Sequence, residues 1–148
     1  MGSMRLRGLQ FVTLMFIVLF ACLSCSKANQ AKINLNLGSK SALDGDYEKA
    51  ISYYNKAIEL DPSLAEAYGF RGNLYAVMDN FEKAIEDCTE AIKLNPNLAM
   101  AYSLRGISYF KLGNDKNAIE DLEKALKIDP NDESAKQALE AARFLYSW

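Results

Sequence analysis

The chain has 148 residues, half of them apolar, with 17 basic and 19 acidic side chains and a net charge of −2, which suits one folded domain. Histidine is absent, and that excludes Ser-His-Asp and Cys-His catalysis, zinc-protease helices and His-ligated metals. No basic run occurs; Glu and Lys alternate instead, a solvated pattern without the clustered positive charge that nucleic acid binding requires.

Residues 1–25 are unlike the rest. Arg5 and Arg7 form a positive start, and Phe11 to Leu23 is a run of 13 almost wholly apolar residues. That run suits a signal-peptide core and falls short of the roughly 20 residues a helix needs to span a bilayer. Small and apolar residues then lead straight into cysteine, which resembles bacterial lipoprotein signals. The resemblance implies a cysteine that is diacylated, with chains such as palmitate, and becomes the first mature residue in the cell envelope. Two boxes compete for that role. Leu19-Phe20-Ala21-Cys22 has the favoured leucine but a bulky Phe20, whereas Cys22-Leu23-Ser24-Cys25 has a suitable Ser24 and is followed at once by polar residues. Cys25 is therefore the expected lipidation site, with Cys22 the alternative. An uncleaved anchor and a simple secretory signal are the other readings of the segment. Met1-Gly2 would suit myristoylation, but Leu6 lacks the hydroxyl wanted there. Residues 26–30 are polar and read as a short tether.

From Ala31 the chain repeats with a period of 34. Tyr68 returns as Tyr102, Arg71-Gly72 as Arg105-Gly106, Tyr75 as Tyr109, and Ala84-Ile85-Glu86-Asp87 as Ala118-Ile119-Glu120-Asp121. The three prolines, Pro62, Pro96 and Pro130, are equally spaced. Such a period marks a helix–turn–helix array. In the first helix of a unit, Tyr68, Gly72 and Tyr75 (then Tyr102, Gly106 and Tyr109) share one face, and the glycine admits the partner helix closely. The second helix offers Ala84 and Ala91, or Ala118 and Ala125, on one stripe. Gly45-Asp46, Asp79-Asn80 and Gly113-Asn114 form the turns, with a C′ residue followed by an N-cap. Cys88 falls on a face expected to be buried, as a small core residue.

These residues resemble the tetratricopeptide repeat (TPR) family, over units 31–64, 65–98 and 99–132. The first unit is looser: Ser41 stands where the others have Tyr75 and Tyr109. Cys88 and Leu122 stand where unit one has Tyr54, a substitution expected to weaken local packing. The resemblance implies an all-α fold, with three helix-turn-helix units stacked as a right-handed solenoid.

Residues 133–148 follow. Ala135, Leu139, Ala142 and Tyr146 recur at helical spacing, while Glu140 and Arg143 occupy the registers of the packing glycine and tyrosine. A further unit could not stack there, so this helix is an end cap, which repeat arrays require. Phe144 and Trp148 lie on a different line, as edge wrapping or as a second interface for a partner or another copy.

In this family the first helices line a concave groove. Carried over by register, it includes Leu35, Ser39 and Leu43, then Asn73 and Val77, then Met100, Ile107 and Phe110. The wall is short of charge and expected to become more apolar toward Phe110. One known use of the fold holds the acidic tail of heat-shock chaperones in a clamp of Lys, Asn and Arg; the corresponding positions here are Leu35, Ser39, Phe70, Met100 and Leu104, so the clamp is missing. The expected function is a membrane-tethered scaffold that binds a protein or peptide partner, with Asn73 bonding a ligand backbone. Self-association through the C-terminal helix, giving a homo-oligomer, is the alternative. No catalytic residue, cofactor or metal ligand is expected, and Arg71 and Arg105 read as edge residues paired with carboxylates.

Overall fold

The computed structural model describes residues 25–146, and these are helical apart from short turns. The order is α1 (residues 25–43), α2 (Tyr47–Leu60), α3 (Ala65–Val77), α4 (Phe81–Leu94), α5 (Ala99–Lys111), α6 (Asp115–Ile128) and α7 (Glu133–Tyr146). The apolar leader, Cys22 and Trp148 lie outside the described residues. The chain forms an all-helical solenoid of antiparallel pairs. Among the described residues no helix is long and apolar enough to cross a membrane. Residues 26–30, expected as a short polar tether, form the first turns of α1, with Asn34 Nδ2 donating to the Gln30 carbonyl at 2.8 Å. Their polar side chains suit a solvated helix as well as they suit a coil.

The tight turns repeat one chemistry. Gly45, Asp79 and Gly113 adopt φ of +80°, +58° and +74°, and each is followed by an N-cap: Asp46, Asn80 or Asn114. The capping residue's amide returns to a carbonyl five residues back, as in Asn80 N to Tyr75 O at 2.8 Å and Asn114 N to Tyr109 O at 2.9 Å. This closes the Schellman arrangement that a left-handed C′ residue allows. The longer turns also repeat. Asp61, Asn95 and Asp129 each accept, through the side chain, the amide two residues on, and so brace the loop at each proline.

Packing follows the small-residue stripes. Ala50, Ala84 and Ala118, with Ala57, Ala91 and Ala125, are wholly buried. A methyl group on Gly38 would meet the Tyr54 ring, one on Gly72 would meet Cys88 Sγ at 3.2 Å, and one on Gly106 would meet Leu122 Cγ at 2.7 Å. Cys88 and Leu122 are themselves fully buried. Both side chains thus lie directly against the glycine of the facing helix. At the far end, Ala135, Leu139 and Ala142 of α7 complete the cluster around Leu122, while Glu140 faces solvent and Arg143 pairs with Glu123 at 2.7 Å.

Candidate peptide-binding groove

α3 packs against α5 and α5 against α7, which sets the first helices side by side along one face. Two adjoining concavities of about 410 Å³ each lie there, and Asn73 lines both. The first is formed by Ser39, Ala42 and Leu43 of α1, Tyr47 and Tyr54 of α2, and Phe70, Asn73, Leu74 and Val77 of α3. The second is formed by Asn73, by Ala99, Met100, Ser103, Leu104 and Ile107 of α5, and by Asp129, Asp132 and Ser134 around the last long turn.

The expected groove residues separate into three groups. Leu43 and Val77 are open, at 89% and 52% exposure, and line the first concavity with Ser39. Asn73 is exposed at the junction, and Met100 and Ile107 line the second concavity. Leu35 and Phe110 instead pack inward, on the clusters around Tyr54 and Leu122. The most open apolar wall is thus at the Leu43–Val77 end. The Phe110 end turns its bulk into the core because α7 closes over it, so the gradient runs opposite to the one expected.

Among the lining residues that the reading by register left out are Tyr54, Asp129 and Asp132. Tyr54 and Phe70, 6.0 Å apart between ring centroids, form the floor of the first concavity, and Tyr54 also meets Ser39, its hydroxyl 3.3 Å from Ser39 Oγ. Asp129 and Asp132 belong to a turn, and turn carboxylates look like ordinary capping groups in sequence. The signal that could have found them is position: the turn before the cap lies at the mouth of the last first-helix gap.

Arg71 and Arg105 are away from these concavities and act between helices. Each donates to both oxygens of a carboxylate on the second helix of its unit: Arg71 to Asp87 at 2.8 and 2.6 Å, Arg105 to Asp121 at 2.7 and 2.9 Å. The remaining nitrogen reaches back to the preceding unit, to Asn55 at 2.6 Å or Thr89 at 3.1 Å. Hydrogen bonding to these aspartates pushes both guanidinium pKa values above their ordinary range. Burial drives the Cys88 thiol up to about 12, so it stays neutral and inert. Among the described residues no cluster of three or more His, Cys, Asp or Glu is placed to hold a metal. Cys25 is exposed at the start of α1.

The comparisons agree with this geometry. A family profile described as "Tetratricopeptide repeat" matches residues 65–98 and 99–132, and a second, described as "TPR repeat", matches residues 43–79. No curated protein matches significantly. Among solved structures, the chain is similar to the first TPR of Spaghetti (RPAP3) bound to the HSP90 peptide SRMEEVD. That match has 29% identity and a TM-score of 0.79 and covers 82% of this chain and 96% of the other. The Arabidopsis OM64 TPR domain is similar at 26% identity and a TM-score of 0.76, covering 79% and 97%. The second TPR domain of human RPAP3, in complex with the HSP70 peptide SGPTIEEVD, is similar at 28% identity and a TM-score of 0.72, covering 81% and 98%.

Proposed function

Because the chain belongs to the tetratricopeptide repeat family, we propose that it is a non-catalytic scaffold whose groove binds a peptide or an amphipathic helix of a protein partner, held at a bacterial envelope membrane by acylation at Cys25. The observation that carries this reading is the pair of concavities joined at Asn73, with Leu43 and Val77 left open beside them. Large apolar side chains exposed in a concavity are the usual mark of a recognition surface. Two structural neighbours are in complex with peptides ending in Glu-Glu-Val-Asp. Here the clamp positions hold Leu35, Ser39, Phe70, Met100 and Leu104, none of them a cation. An acidic tail would lose its charge-assisted hydrogen bonds, so the family's mode of use is retained with a different occupant. The leader's short apolar core and the cysteine that follows it support the anchor, and α1 would carry the solenoid directly from that point.

A photoreactive residue placed at Val77 or at Asn73 in living cells tests the groove. Crosslinks to one discrete polypeptide are expected from both positions and none from Glu86, which is exposed on α4. Equal labelling from all three would remove the groove from consideration. Acylation is tested by Cys25→Ala and Cys22→Ala: loss of lipid label with the second alone would move the anchor to Cys22. A second reading, self-association through the cap, draws on the exposure of Phe144 and Leu145, at 63% and 55%. It requires residues 26–148 to sediment as a dimer or larger and Trp148→Ala to return the monomer.

A further inference from the structure

We propose that the groove selects a peptide bearing a lysine or arginine side chain, which enters the concavity between α5 and the start of α7 while a neighbouring apolar side chain fills the concavity beside Leu43 and Val77. This rests on the peptide-binding reading above and specifies its occupant. Charge is the first argument. Among the described residues the only charged ones lining either concavity are Asp129 and Asp132, and neither takes part in an ion pair there. Each uses Oδ1 to hold a backbone amide, from Asn131 at 3.0 Å and from Ala135 at 2.9 Å. Oδ2 of each takes no hydrogen bond from the described residues. A cationic tip would meet two carboxylates there, and a carboxylate of an incoming chain would be repelled by both.

A buried hydroxyl is the second, independent argument. Ser103 lines the same concavity and is only 5% exposed, yet its Oγ has no hydrogen-bond partner among the described residues. It is not sealed in the core either, since no fully enclosed side-chain oxygen lacks a partner. Its opening is the concavity it lines, where it can bond a ligand. Shape agrees with charge. Met100, Leu104 and Ile107 form an apolar wall leading toward the carboxylates. That arrangement fits a side chain with a methylene stem and a charged end.

The test screens the full-length chain in mild detergent against an array of random ten-residue peptides, beside Asp129→Asn/Asp132→Asn and Val77→Asp. Asparagine caps a helix as well as aspartate does, so the double variant loses charge and keeps its turn. The expected binders combine Lys or Arg with Leu, Ile or Phe. They weaken about tenfold or more on the double variant, weaken also on Val77→Asp, and lose affinity as salt is raised. Acidic or neutral binders that ignore the double variant but are lost on Val77→Asp would overturn the inference and leave the groove standing. Basic binders indifferent to Val77 would overturn the seating across both concavities. Salt-insensitive affinity of the wild-type chain would overturn the charge pairing whatever the variants do. An array with no binders, or with binders that ignore every change, would overturn the groove itself.

Discussion

Arg105 holds Asp121 with two parallel hydrogen bonds, at 2.7 and 2.9 Å, and with its third nitrogen grips Thr89 of the preceding unit at 3.1 Å. Thr89 passes the contact on, donating its own hydroxyl to the Ile85 carbonyl at 2.7 Å. The same fork recurs at Arg71, Asp87 and Asn55. One side chain therefore ties the two helices of a unit together and the unit to its neighbour.

Asp121→Ala leaves that half-buried guanidinium without its anion. An expected loss of about 2–3 kcal/mol follows from the bidentate, partly desolvated pair. Thr89→Ala removes a single hydroxyl and should cost about 1 kcal/mol or less. Urea unfolding of the two variants measures both, and equal losses would place the strength of the fork on the Thr89 side.

Gly106 and Gly69 give opposite expectations for the same substitution. A methyl at Gly106 would lie 2.7 Å from Leu122 Cγ, a branched centre, and 3.2 Å from the Ala118 carbonyl. Neither can move away, so Gly106→Ala should lose about 1–2 kcal/mol despite its better helix propensity. At Gly69 the nearest atom is Met100 Cε at 2.9 Å, the free end of a flexible chain. Gly69→Ala should therefore gain roughly 0.5 kcal/mol, read as opposite shifts of the unfolding midpoint.

Asp79 sits at φ +58°, where the equivalent turns have Gly45 and Gly113. An L-residue is strained there, so Asp79→Gly should add about 0.5–1 kcal/mol and raise Tm by a few degrees. Gly113→Ala should lower it by a similar amount. A thermal melt that falls for Asp79→Gly would mean that its carboxylate contributes more than the backbone costs.

The fold was legible in the sequence because each repeat states it again in independent terms: the left-handed turn residue, the Asp or Asn cap, the proline and the alanine stripe. The groove was legible only where register alone decides exposure. Leu43 and Val77 follow from their place at the end of a first helix. Phe110 stands in the register of Ala42 and Ala76, but it packs on the cluster that the cap completes, and no period predicts the neighbour of a last repeat. Tyr54 was visible as a packing residue and not as a groove floor, since unit one alone has a large ring there. Asp129 reads as a loop brace by analogy with Asp61 and Asn95. Its second role depends on which helix comes next.

Cys88 supplies a pH test of the core. Burial lifts its pKa to about 12, above the ordinary range near 9 that it regains on unfolding. Between those values the unfolded chain releases the proton and the folded chain keeps it. Folding is then opposed, and the stability present below pH 9 is lost as pH rises toward 12, at up to about 1.4 kcal/mol per unit. Cys88→Ala has no such proton, so the stability difference between it and the parent should be flat below pH 9 and shrink above it. Every other alkaline group is common to both proteins and cancels. Urea midpoints at pH 8 and pH 10.5 suffice to measure this, and a difference that stays constant would mean that the thiol is ionised or solvated in the folded chain. A thiol reagent gives the same answer kinetically: Cys88 should react only as fast as the solenoid opens.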